Sequence, residues 1–271
     1  MQNLNESEKS RGVVVFAFNS QTVDYVSIAD QTSKLIAKNL DLPITLITDP
    51  QSQPRFQYDK IIKIENTGNN FRTDKNGKNI EWKNFGRYFS YQLSPYTETL
   101  LLDTDYLVLD NTLNKFWSVD FDYLIVKDSV VPEGRFENNM GYLSHNWLWA
   151  TVVFFKKTKK AELFFNFVGR IQKNYAYYKT LYNLEGTYRN DFSFSIADMV
   201  LNGYCVDSKN HLPFNMITIA NTVKSIEVKN NGLLIRESDR AVLSPKQNLH
   251  IMDKEYLLSS NFKKFVQDVT A

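Results

Sequence analysis

The chain opens its ordered pattern with "GVVVFAFN" (12–19), an almost unbroken apolar run rich in Val and Phe. Such a run suits a strand covered on both faces. In 25–40, "YVSIADQTSKLIAKNL", the residues Val26, Ala29, Ser33, Ile36 and Leu40 fall on one helical face. "PITLITD" (43–49) reads as a second buried strand and "KIIKI" (60–64) as a weaker third. Strand, helix, strand in this order predicts a right-handed βαβ unit and a largely parallel sheet. The polar, Asn/Gly-rich stretch 65–79 reads as a surface loop, and 81–93, "EWKNFGRYFSYQL", as a helix.

"TLLLDTDYLVLD" (99–110), "DYLIVKD" (122–128) and "WLWATVVFF" (147–155) carry further strands, with a polar loop at 132–141. From Thr158 to Tyr178 apolar residues recur at three- and four-residue spacings, so one helix is predicted with Thr158 as its N-cap. A shorter helix spans 189–203 and is closed by Gly203. The remainder predicts short strands and turns, then a last helix over "SSNFKKFVQDV". The expectation is an α/β fold with a mostly parallel sheet flanked by helices and a mixed α+β C-terminal portion. It forms one domain over 12–255, with a flexible 1–11 and a C-terminal helix in 256–271.

Composition narrows the class. At 271 residues the chain can bury a full core. A net charge of +2 sets up no global field toward nucleic acid or membrane. Aromatics at 14% predict a core of large side chains with rings left over for stacking. Cys205 is the single cysteine, so there is no internal disulfide framework. No apolar run reaches the roughly 20 residues a bilayer span needs, and "MQNLNESEKSRG" is not a secretory leader. These features predict a soluble, cytoplasmic protein.

The chemistry concentrates at Asp103 and Asp105. In a strand, residues i and i+2 share a face, so the two carboxylates are expected to point together, with Thr104 opposite. They fall at the carboxyl end of a strand, where parallel sheets bind ligands. Two close carboxylates repel unless a cation lies between them. Hard oxygen donors suit Mn2+ or Mg2+, which bind substrate phosphates alongside one or two carboxylates. The bland alternative is a pair of solvated turn residues. Asp110 is separate and reads as the cap of a helix beginning near Thr112.

The order "GVVVFAFN", "ITLITD", the Arg-bearing "FGRYFSYQL" and "TLLLDTDYLV" resembles the GT-A fold glycosyltransferases, most of all the glycogenin and galactosyltransferase group (family eight-like). The resemblance implies transfer of a sugar from a nucleoside diphosphate to an acceptor hydroxyl through Mn2+ or Mg2+. It implies Asp103, Asp105 and His250 as metal ligands and Lys254 as a diphosphate contact. In the family a glycine and a longer spacing separate the last two, and "LHIMDKEYL" departs from that. It implies donor contacts from Phe18, Asn19, Asp24, Tyr25, Arg87 and Thr104, and a catalytic carboxylate at Asp191, acting as a base or touching the sugar. Ordinary readings stand beside these: helix caps for Asp24 and Asp191, a surface ion pair for Arg87, a strand end for His250. The aromatics of "WLWATVVFF" are core or pocket wall, and Asp128 is a lesser alternative to Asp191. His145 and His211 read as structural or surface residues.

The acceptor stays open. "KKTKK" (156–160), with Lys63, Arg72, Lys75 and Lys78, is either a solvated basic face or a phosphate-holding surface for DNA. The Lys/Asn/Phe/Tyr-rich composition also looks like phage proteins, some of which glycosylate hydroxymethylated pyrimidines, so host cytoplasm would be the compartment. Alternatives are a saccharide or protein acceptor, or a nucleotide-sugar-binding protein without transfer activity. No phosphate loop, G-x-G-x-x-G or G-x-S-x-G is present, which removes P-loop, dinucleotide and serine-hydrolase readings.

Overall fold

The apolar run after Arg11 forms β1 (Arg11–Phe16), with all but its first residue buried. α1 (Tyr25–Leu40) follows, capped by Asp24, whose carboxylate accepts from Ser27 N–H at 2.9 Å. β2 (Ile44–Thr48) and β3 (Lys60–Lys63) complete the expected unit, and both strand pairings are parallel. Then come β4 (Phe71–Thr73), β5 (Asn79–Glu81), a 3-10 turn (Arg87–Phe89) running into α2 (Ser90–Leu93), and β6 (Glu98–Leu102). β7 (Tyr106–Leu107), a 3-10 segment (Thr112–Ser118), β8 (Tyr123–Val126), β9 (Ser129–Val131), β10 (Gly134–Arg135) and β11 (Trp149–Lys156) lead to the helical stretch. That stretch holds α3 (Lys159–Lys173), α4 (Tyr175–Leu181) and α5 (Asn190–Leu201). β12 (His211–Leu212), β13 (Met216–Ile219), β14 (Val223–Lys229), β15 (Gly232–Glu237), β16 (Ala241–Pro245) and β17 (Leu249–Ile251) precede α6 (Lys254–Leu258) and α7 (Ser260–Thr270). This computed structural model describes residues 10–65, 70–73, 77, 79–132, 134–135, 146–205, 208–230 and 232–271.

The main sheet has the order β12-β8-β11-β6-β1-β2-β3, with β6, β1, β2 and β3 parallel and β11 reversed between β6 and β8. A second sheet, β10-β9-β13-β17-β7, is parallel through β9, β13 and β17. β14, β15 and β16 form an antiparallel third. The architecture is the expected α/β fold with a mixed C-terminal portion. α1 packs between two cores: Val26, Ala29 and Ile36 join the main one, whereas Ile28 and Leu35 join the core of Phe262, Phe265 and Val266 from α7. Among the described residues no helix is long and apolar enough to cross a membrane.

Three expectations are corrected. The helix over 81–93 is reduced to 87–93, because the Asn84 side chain bonds both Phe18 N–H (2.8 Å) and Phe18 C=O (2.9 Å) and pins that backbone to β1's end. The helix from Thr158, correctly capped by it, breaks at Asn174, whose amide donates to Arg170 C=O at 2.8 Å. Strand β6 stops at Leu102, so Asp103 and Asp105 sit in a turn and do not share a face through strand alternation.

The basic cluster 156–160, read as either a solvated face or a DNA-holding surface, starts beside the amino-terminal end of β6. Lys156 pairs in register with Glu98 at the start of β6, four residues of strand (roughly 13 Å) from Leu102. Two of its lysines make contacts within the protein. Lys156 lies over Phe121 at 4.3 Å, Lys157 over Tyr91 at 4.5 Å, and Lys157 also donates to Tyr91 C=O. Lys75, Lys78, His145, the Arg72 side chain and most of the loops 65–79 and 132–141 lie outside the described residues.

Candidate active site

A cleft opens at the carboxyl ends of β1 and β6 and the start of β11, with Phe16, Tyr25, Asp103, Thr104, Asp105 and Thr151 on its walls. Asp103 N–H donates to Thr151 C=O at 2.9 Å, and Tyr106 N–H returns to Asp103 C=O at 3.2 Å, closing the turn. Asp105 C=O accepts from Ile251 N–H at 2.9 Å, which ties the turn to β17. The first of these bonds extends the regular β11–β6 ladder by one step beyond Val152 and Leu102; β11 shifts register only on its other side, against β8.

The two carboxylates have different partners. Asp103 is paired with the buried Arg87 and keeps a side-chain exposure of 35%. Asp105 is buried; Lys254 Nζ reaches its Oδ2 at 2.5 Å and His250 Nε2 stands 3.5 Å away. Burial alone would push the Asp105 carboxyl up; the Lys254 ammonium and the His250 ring outweigh it and hold the carboxyl well below the usual range. Burial pulls the Arg87 guanidinium down to about 10, against the opposing pull of Asp191 and Asp105. Arg87 is thus no surface ion pair. Its Nε and Nη2 are buried without a hydrogen-bond partner.

Asp191 sits in the first turn of α5, but the cap position is Arg189, so the capping reading fails. Both Asp191 oxygens are engaged. Oδ1 accepts from Ala150 N–H at 3.0 Å, and Oδ2 accepts from Arg189 Nε at 3.2 Å and Nη2 at 3.0 Å. Arg189 in turn lies over the Trp147 ring at 5.2 Å. Trp149 borders the cleft, whereas Val152, Val153, Phe154 and Phe155 are core.

Of the expected donor contacts, Tyr25, Thr104 and Lys254 line the cleft. Phe18 does not: its side chain is fully buried and packs on Phe16 at 4.7 Å. Asn19 accepts from Val26 N–H at 2.9 Å, and Asp24 spends one oxygen on its cap. Asp128 lies between β8 and β9, away from the cleft walls. Asp110 accepts from Thr112 N–H at 2.9 Å and so starts the 3-10 segment. His211 is structural, bonded to the buried Asp198 at 3.1 Å. Trp82, Asn84, Arg189, Asn190 and Met252 also line the cleft, and no sequence pattern marked them.

Among the described residues no three acidic, His or Cys side chains form a ready-made metal cluster. The donors nonetheless fit a divalent ion. Asp105 Oδ1 is buried and without a partner, and Asp103, Asp105 and His250 border the same cleft. Two carboxylates and an imidazole are a chemically apt set for Mn2+ or Mg2+.

No protein-family model matches the chain, and no curated protein matches it in sequence. Solved structures do. LgtC, a galactosyltransferase solved in complex with donor and acceptor sugar analogs, matches with a TM-score of 0.53 at 11% identity, covering 96% of this chain and 95% of that one. An active-site mutant of LgtC gives 0.52 at 11%, covering 95% and 94%. The apo glycosyltransferase GlyE of Streptococcus pneumoniae TIGR4 gives 0.42 at 15%, covering 75% of this chain; the chain spans only 45% of GlyE. The likeness to LgtC identifies the fold as GT-A type.

Proposed function

We propose that this protein is a metal-dependent glycosyltransferase that moves a sugar from a nucleoside diphosphate to an acceptor hydroxyl. One observation carries the reading: Asp103, Asp105, His250 and Lys254, up to 151 positions apart (254 − 103), meet at one cleft at the carboxyl ends of parallel strands. The fold's likeness to a galactosyltransferase supports it. Asp103, Asp105 and His250 would hold Mn2+ or Mg2+. When bound, that ion supplies charge neutralisation for a departing diphosphate.

The chain's own residues divide the remaining work. Lys254 is the cation that lines the cleft, and Arg87, buried behind Asp103, adds positive charge from beneath it; preorganised charges of this kind stabilise the transition state most. Tyr25 offers a ring to the base, with Asn19, Asp24 and Thr104 beside it. Phe18 supports that wall from within the core. Asp191 holds Arg189 against Trp147 and so shapes the sugar end of the cleft.

A saccharide or protein hydroxyl is the favoured acceptor, since the basic cluster that would hold DNA lies at the opposite end of β11. The alternative, a nucleotide-sugar binder without transfer, has one observation in its favour: both oxygens of Asp191 are already engaged. Thermal-shift screening with UDP-, GDP- and CDP-sugars plus Mn2+, followed by product analysis on saccharide, peptide and hydroxymethylated DNA acceptors, tests these readings. Transfer that Asp103→Asn and Asp105→Asn abolish is expected. Undiminished transfer in both variants would overturn the metal site, and a shift without any product would favour the binder.

A further inference from the structure

Behind the cleft three buried polar side chains stand in a row across adjacent parallel strands: Ser129 on β9, Thr218 on β13 and His250 on β17. Thr218 and His250 are register partners. Thr218 Oγ1 lies 3.2 Å from His250 Nδ1 and 2.7 Å from Ser129 Oγ. Thr218 is fully buried, in the sheet's interior, where a hydroxyl is retained only when bonded. The Trp149 ring meets the imidazole edge-on, with centroids 5.9 Å apart. The ring's far nitrogen, Nε2, faces the cleft and stands 3.5 Å from Asp105 Oδ2.

We propose that Thr218, backed by Ser129, is a positioning residue that keeps the proton of His250 on Nδ1 and thereby presents the Nε2 lone pair to a metal in the cleft. The inference rests on the metal reading above. The bond order is directional. If Nδ1–H donates to Thr218 Oγ1, the Thr218 O–H is left to donate to Ser129 Oγ, and each short contact has one proton. The reverse order, Ser129 donating to Thr218 and Thr218 to Nδ1, satisfies the same two contacts but would place the ring proton on Nε2 and close that nitrogen to an ion. Which nitrogen of a histidine ligates is set by the hydrogen bond its other nitrogen makes. Removing such an outer partner weakens metal binding about 10–100-fold.

The test compares wild type, Thr218→Val and Thr218→Ser by calorimetric titration with Mn2+, and by 15N NMR of the His250 ring in the metal-free and Mg2+-loaded protein. Thr218→Val keeps the volume and removes the hydroxyl; Thr218→Ser keeps the hydroxyl. The expected result is Mn2+ affinity about 10–100-fold weaker in Thr218→Val, affinity near wild type in Thr218→Ser, and loss of the Nδ1–H tautomer in the valine variant alone. Equal Mn2+ affinity in wild type and Thr218→Val, or an Nε2–H tautomer in wild type, would overturn the proposal with the metal reading intact. Wild type that binds neither ion would overturn the metal reading, and the proposal with it. If Thr218→Val does not fold, Ser129→Ala, which removes only the backing hydroxyl, is expected to shift the tautomer and weaken Mn2+ binding; an unchanged ring would count against the proposal.

Discussion

Lys254 Nζ lies 2.5 Å from Asp105 Oδ2, an ion pair that joins residues 149 positions apart within the wall of the cleft. Removing one partner of a buried pair leaves the other charge uncompensated, at a cost of about 3–5 kcal/mol. Lys254→Met is therefore expected to lower Tm by several degrees, and Mn2+ is expected to raise Tm more in this variant than in wild type. Calorimetry with and without the ion decides it: an unchanged Tm would show that the pair contributes nothing.

Arg87 allows a sharper test. It is almost wholly buried, is ion-paired to Asp103 among the described residues, and leaves Nε and Nη2 unbonded. Replacing both partners of a buried ion pair with apolar residues is often neutral or stabilising by about 1–4 kcal/mol, whereas removing one leaves the other charge uncompensated. Arg87→Met is therefore expected to lower the urea midpoint, and Arg87→Met combined with Asp103→Leu to recover most of that loss. A double variant no more stable than Arg87→Met would refute the idea that stability is given up here for charge.

The lowered Asp105 carboxyl sets an acid limit. A carboxyl whose folded value lies below its unfolded value of about 3.9 contributes stability above that pH and loses it as pH falls further. Between pH 5 and 8 the Asp105 contribution is expected to stay flat, and below about pH 4 stability should fall. The expected signature is a shallower acid limb in Asp105→Asn than in wild type; parallel limbs would assign acid lability elsewhere.

Gly169 tests how Arg87 is kept in place. A Cβ at this helical position would stand 2.7 Å from Tyr88 Cδ2, so the ring next to Arg87 would have to move. Gly169→Ala gains helix propensity yet is expected to destabilise by about 1–3 kcal/mol through overpacking. A stabilised Gly169→Ala protein, by thermal melt, would show that the ring yields freely.

The legible parts of this fold were those written in local periodicity. β1, α1, β2 and the cap at Thr158 follow from runs and spacings that neighbouring elements reinforce. The segment 81–93 failed because one side chain, Asn84, trades helix formation for two bonds to a distant backbone. The D-x-D was legible as a pair of acids at the end of a buried strand, while its geometry was not. The acids converge through a turn stitched to β11 and β17, and the i, i+2 argument for a strand does not apply. Arg87 read as a surface residue because nothing in its sequence neighbourhood announces its burial. Thr218 and Ser129 matter only through register across three strands, which no single segment encodes. Asp191 was singled out by its place in the chain and does line the cleft, but its engagement by Ala150 and Arg189 is a tertiary fact.

The turn at Asp103–Asp105 is bonded on one side to β11 and on the other to β17. Half of the site thus comes from residues before 106 and half from residues 249–254. Until residues 249–254 emerge, Asp105 has neither His250 nor Lys254 beside it, and its carboxylate must remain in water. The central sheet can assemble ahead of that moment, since β1, β2, β3, β6 and β11 need nothing from the C-terminal strands to pair. A protein lacking 249–254 would keep this central pairing yet have neither His250 nor Lys254 beside Asp105.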